Sequence, residues 1–231
     1  MTSITENAAR LICDFEGAAI PQAALDAATV AIRDCIGVAL AGYDEPVSRI
    51  VRDATLTPSC PADASVWGST RKTSLLDAAL INGTAAHALD YDDQNRSMLG
   101  HPSSVLVPAL FAIGEAEALS GRRILEAYVL GLQMMARLGR IFGARGYEKS
   151  WHPTAVMGVI GSCASAAYLH GLSYNTTLNA IGIAASEASS IKKNFGSMVK
   201  PLHVGSASRK GIWAARLAQH GLTANPQALD G

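Results

Sequence analysis

Charge is scarce in this chain: only 16% of its 231 residues are charged, and the 19 basic and 19 acidic side chains cancel. No general field therefore favours nucleic acid or an anionic membrane, and any basic site must be local. Aromatic residues are few at 6%, yet hydrophobic residues reach 49%, a balance that excludes disorder and suits a well-buried core. No window approaches the roughly 18 uninterrupted apolar residues of a membrane helix. The opening MTSITENAARLICDFEG also lacks a basic segment leading into an apolar one. A cytoplasmic location is the expectation by elimination. The four cysteines, Cys13, Cys35, Cys60 and Cys163, form no CxxC pair, which argues against a zinc site or a disulfide framework and for reduced thiols. P-loop, HExxH and GxSxG motifs are missing, as are a complete GxGxxG after a strand and any fixed-period repeat.

What the chain does contain is a series of helix-length apolar segments with start and stop signals. Helices are expected over 23–41 (stopped by Gly42), 48–54, from Ser74 toward Leu89, 102–120, 123–140, 154–170, 175–186 and 206–220. Pro58, Pro61 and Gly68 mark an irregular connection, within which 65–67 is the one piece expected to be extended. The spacing predicts an all-α, compact helical bundle, one domain over 1–221. Residues 222–231 contain Pro226 and no periodic apolar face, so they read as a connector at which the chain is cut short.

Catalytic residue types gather in His87-Ala-Leu-Asp90-Tyr-Asp92-Asp93-Gln94, followed by His101-Pro102. Carboxylates this close repel one another, which raises at least one pKa unless cations lie nearby. Asp90 and Asp93 are spaced to face the same way at a helix end, and the plainer alternative is that these acids are solvated or cap the next helix. His101 and His152 each stand immediately before a proline that opens a helix. Amides at a helix start favour anions and keep a nearby imidazole neutral, as a site handling carboxylates and protons requires. His87, inside an Ala-rich helix, reads as structural. In Gly196-Ser-Met-Val-Lys200-Pro-Leu-His203, Lys200 is expected on a rigid turn before a helix, placed to pair with a substrate carboxylate or an enolate-like charge. His203 either orients a neighbour or caps its helix. The Asp spacing matches no dedicated calcium loop, and no metal is expected.

Together, Trp67-Gly68, Asn82-Gly-Thr-Ala-Ala-His-Ala-Leu-Asp-Tyr-Asp-Asp93, His101-Pro-Ser103, His152-Pro-Thr154 with Gly158, and Gly196 to His203 resemble the MmgE/PrpD family. That family includes dehydratase, decarboxylase and epimerase activities on small polycarboxylates. The resemblance covers nearly the whole chain. It implies a large helical domain with a smaller α+β lid, which this chain lacks, a homodimer, and catalysis without an organic cofactor. It implies an active site of Asp90, His101, His152 and Lys200, with Asp93, Gln94, Lys200 and His203 contacting the substrate. Gln94 departs from the Thr usual in dehydratase-like and decarboxylase-like members, which leaves the choice of substrate open. The leading expectation is a hydro-lyase of the 2-methylcitrate dehydratase type, with epimerase and decarboxylase as alternatives. From another class, the alternative is a non-catalytic helical binding or assembly fragment.

Overall fold

Helix starts in this protein are written in serine and proline. Ser3, Ser74, Ser120 and Ser173 each accept a hydrogen bond from the backbone N–H three residues on, which satisfies one of the orphan donors of a first turn. Pro46 and Pro153 occupy first-turn positions, where the missing N–H costs nothing. The computed structural model describes residues 3–230. Its helices are α1 (Ile4–Cys13), α2 (Gln22–Ala41), α3 (Pro46–Thr55), α4 (Leu75–Ala86), α5 (Ser103–Ala116), α6 (Gly121–Glu148), α7 (Pro153–Leu169), α8 (Tyr174–Glu187) and α9 (Val199–Gln219). A hairpin of two short strands, β1 (Ala64–Ser65) and β2 (Lys72–Thr73), pairs Ala64 with Thr73 antiparallel. The extended piece thus starts one residue and ends two residues earlier than the sequence suggests, and β2 is not expected from it.

Several elements depart from expectation; α5 ends at Ala116 instead of 120, and Gly121, expected to close it, opens α6 behind the Ser120 cap. The sequence reading has no helix at α1, although Ser3 and Glu6 form a start signal there and Thr5, Ala8, Ala9 and Ile12 make its buried stripe. α6 runs on past 140 to Glu148. α9 begins at Val199 instead of 206, so Lys200 and Pro201 stand in its first turn, where proline is tolerated, and not on a turn before it.

α4, α7 and α9 form the centre of the molecule, and α5, α6 and α8 pack around them. α7 is buried along nearly its whole length. Its Gly, Ala and Ser residues allow neighbours to approach closely, as do two glycines of α9. A Cβ on Gly205 would collide with the Leu80 carbonyl and Thr84 of α4, and one on Gly211 with Ser162 and Cys163 of α7. Residues 222–230 are irregular as expected. They pack back on α1 and α8, with Ala224 N–H donating to Asn179 at 3.0 Å and Thr5 Oγ1 donating to Asp230 at 3.0 Å. Among the described residues, no helix is long and apolar enough to cross a membrane.

Candidate functional site

The starts of α7 and α9 and the α4–α5 connection come together at one end of the central trio. Two loop contacts pin the first of these to the segment before α9: His152 N–H donates to Ser190 O at 2.9 Å, and Lys192 N–H to Ser150 O at 2.7 Å. Ser150 and Ser190 take positive φ values of 68° and 100° to make this crossing.

Asp90 is the hub. One of its oxygens, Oδ1, lies 2.7 Å from Lys200 Nζ, 3.7 Å from His101 Nε2 and 3.7 Å from His87 Nε2. His101 Nδ1 lies 3.2 Å from the Asp92 carbonyl, an acceptor, so the Nδ1–H tautomer leaves Nε2 facing Asp90. His152 is 2% exposed. Its ring stands 6.1 Å from that of His87 and edge-on to Phe195 at 4.8 Å, and its Nδ1 lies 3.3 Å from His203 Nδ1. Since one nitrogen of that contact must donate and the other accept, the His152 and His203 rings hold opposite tautomers. A cleft of about 530 Å³ is lined by Glu45, His87, Asp90, Phe195, Met198 and Lys200 among others. His101 and His152 join this group through Asp90 and His87. Of the four expected residues, Asp90 and Lys200 line this cleft; His101 stands beside Asp90, and His152 is buried behind His87 and Phe195.

Electrostatics separates their roles. Burial alone would raise the Asp90 carboxyl, but the Lys200 hydrogen bond and charge, helped by His87 and His101, hold it below the usual carboxylate range. Burial, reinforced by His87, His203, Lys200 and His101, drives the His152 pKa down to about 3, so His152 is neutral near pH 7. His203 is lowered by burial, with help from His87 and Lys210.

Asp93 faces elsewhere. It accepts from Ser103 N at 3.1 Å and from Ser103 Oγ at 2.6 Å, and Tyr128, 2.7 Å from that Oγ, completes a buried chain. Burial raises its carboxyl, and Asp92 adds to the effect against the Ser103 hydrogen bonds. It caps α5, which is the plainer of the two sequence readings for these acids. Gln94 is exposed on the same loop. His203 is nearly buried behind His152, in the orienting position its sequence context allowed.

His87 is the residue sequence reasoning set aside. Its Nδ1 lies 2.9 Å from both Asp92 oxygens. The signal available in sequence was its spacing, five residues before an acid on a loop, and an Ala-rich helix masked it. Donor atoms of His87, Asp90, Asp92 and His101 approach within 4.8 Å of one another. A cation there would have to displace the Lys200 ammonium already paired with Asp90.

The MmgE/PrpD N-terminal domain profile matches residues 6–231. The cis-aconitate decarboxylase of Homo sapiens is 33% identical over 236 residues, covering 100% of this chain and 49% of the relative. That of Mus musculus is 32% identical, covering 100% and 48%, and that of Aspergillus terreus 30% identical, covering 91% and 44%. The chain spans about half the length of the curated relatives it matches.

Proposed function

Because the chain belongs to the MmgE/PrpD family, we propose that it carries the acid/base half of a carboxy-lyase site for an unsaturated tricarboxylate such as cis-aconitate. This shifts the emphasis from dehydration to decarboxylation, since the relatives quoted above are cis-aconitate decarboxylases. The observation that carries the reading is the Lys200–Asp90 pair at 2.7 Å with a histidine at 3.7 Å on the same oxygen. It provides a cation for a substrate carboxylate beside a group able to deliver a proton.

In this reading Lys200 exchanges Asp90 for a carboxylate of the substrate, and the starts of α7 and α9 add their partial positive charge. As the C–C bond to the departing carboxyl breaks, its electron pair passes into the remaining conjugated acid and CO2 leaves. His101, whose bare Nε2 faces Asp90, first takes a second proton from solvent at Nε2, and the carbanion-like centre then takes that proton. Asp90 steadies the imidazolium before transfer. His152, neutral near pH 7, hydrogen-bonds the developing negative charge without competing for the proton. Asp93 belongs to the scaffold.

Gln94 favours epimerisation as the second reading, because it departs from the Thr usual in dehydratase-like and decarboxylase-like members. Dehydration and epimerisation need the same proton handling and differ in what leaves. The test is NMR of the chain, extended by whatever its reading frame encodes, with cis-aconitate, a 2-methylcitrate-type hydroxy acid and iminodisuccinate in deuterated water. Decarboxylation is expected to give CO2 and a dicarboxylate carrying one deuterium at an end of the allylic system that the departing carboxyl leaves. Product only from the hydroxy acid would select dehydration, exchange at a stereocentre without net loss would select epimerisation, and no exchange with any acid would refute proton chemistry here.

A further inference from the structure

Two buried groups of the site have no part in the steps above, and their geometry is that of a proton store. The side chains of His87 and Asp92 have no solvent exposure. A carboxylate only accepts, so the 2.9 Å contacts from His87 Nδ1 to both Asp92 oxygens place the ring proton on Nδ1. The other nitrogen, Nε2, is then a bare acceptor. It is buried and makes no hydrogen bond, which makes it an expensive arrangement to keep without use. It faces Asp90 Oδ1 at 3.7 Å, too far for a hydrogen bond and without a proton to give.

The groups around this ring come from every element that meets it: Asp90 and Asp92 from the connection after α4, His101 before α5, His152 at the start of α7, and Lys200 and His203 from α9. Lys200 is the one fixed cation among them, and Asp90 holds it. A polycarboxylate that draws the ammonium to itself leaves Asp90 without a counter-ion beside the buried carboxylate Asp92. Like charges so placed favour the uptake of a proton.

We propose that the Asp92–His87 dyad takes up one proton at Nε2 when a polycarboxylate draws Lys200 from Asp90, and that the imidazolium replaces Lys200 as the counter-ion of Asp90. The proton comes from solvent, the new bond is Nε2–H, and Asp92 stabilises the charge from the far side of the ring. His87 is thereby a positioning residue acting through Asp90. The inference rests on the proposed substrate class but not on which bond the enzyme breaks.

The experiment is a citrate titration of the whole chain followed by side-chain 15N NMR, with the His87 resonances assigned by their loss in His87→Gln. Free protein is expected to show protonated Nδ1 and bare Nε2, and saturating citrate to convert both nitrogens to the imidazolium signature. Calorimetry in two buffers of different ionisation enthalpy is expected to give about one proton taken up per site. Asp92→Asn keeps an acceptor for Nδ1–H but removes the charge that stabilises the imidazolium, and so abolishes uptake while citrate still binds. Citrate binding with His87 neutral throughout overturns the proton store and leaves the polycarboxylate reading intact. No binding of citrate even at NMR concentrations overturns both.

Discussion

Replacing Lys200 by methionine keeps most of the side-chain volume and removes only the ammonium, so it separates what the ion pair does for folding from what it does for ligand. In the free protein its partner Asp90 is 55% exposed, while Lys200 is 17% exposed. A pair so open to water contributes about 1 kcal/mol or less to stability. Methionine also retains contact with the Phe195 ring, which lies 5.5 Å from Nζ. Against a bound carboxylate the same ammonium makes a charge-assisted hydrogen bond, whose loss costs about 1.5 to 3 kcal/mol, or roughly tenfold to a hundredfold in affinity. Binding should therefore suffer more than folding. Urea denaturation checks the first quantity, and citrate titration at low and high salt the second, since screening should weaken the wild type more than the variant. With Lys200 gone, the burial of Asp90 is opposed only by His87 and His101, so its carboxyl pKa should rise. A variant that loses most of its stability yet binds citrate as the wild type does would refute the assignment, because Lys200 would then be a structural cation.

Three further outcomes are expected. His152, His203 and His170 all have lowered pKa values, so the unfolded chain binds protons that the folded chain refuses. Stability should fall as pH drops from 6.5 toward about 3, by up to about 1.4 kcal/mol per unit for each histidine; a urea series at several pH values in which His152→Gln leaves the slope unchanged would contradict this. Gly205→Ala meets the backbone of α4 and should cost about 1 to 3 kcal/mol or more, whereas Gly37→Ala, in a helix with nothing within 4 Å, should stabilise by about 0.5 to 1 kcal/mol; calorimetric melting temperatures should move in opposite directions. Asp93→Ala removes the α5 cap and should cost about 0.5 to 2 kcal/mol while citrate affinity stays within about twofold, and a large loss of affinity on titration would return Asp93 to the substrate site.

Most helices were legible because their signals are local. Ser74 and Gly42 mark ends through hydrogen bonds made within one turn, whereas Ser120, read as the end of one helix, caps the start of the next. The start of α9 was not legible, because Pro201 reads as a break until the helix is seen to begin two residues before it. In the site, His101, His152 and Lys200 could be named from their places at helix starts, but no spacing rule relates residues 90, 152 and 200. Their convergence depends on how closely α4, α7 and α9 pack. Asp93 is drawn into the scaffold and His87 lines the cleft for the same reason. The Ser103 and Tyr128 hydroxyls that draw Asp93 inward lie on α5 and α6, and Asp92, which turns His87 toward the cleft, is placed only once the loop closes.

That closure explains how Asp90 is held before any ligand arrives. Asp90 and Leu99 both have left-handed backbone, with φ of 57° and 52°, a conformation that costs about 1 to 3 kcal/mol at a non-glycine residue and persists only where surroundings over-determine it. Here they do. Met98 is fully buried against α6, where Gly139 leaves room that any Cβ would fill. Asn95 N–H closes the loop on Gly100 O at 2.9 Å, Asp93 is tied to Ser103, and Asp92 is tied to His87. Ties to α6, α5 and the end of α4, with the loop's own Asn95–Gly100 bond, hold Asp90 toward the first turn of α9. The distance from there to Lys200 is set by α9 against α4, hence by the contact of Gly205 with Leu80 and Thr84. Glycine at that crossing thus governs two quantities together: the packing of the central helices and the 2.7 Å pair on which the charge balance of the site turns.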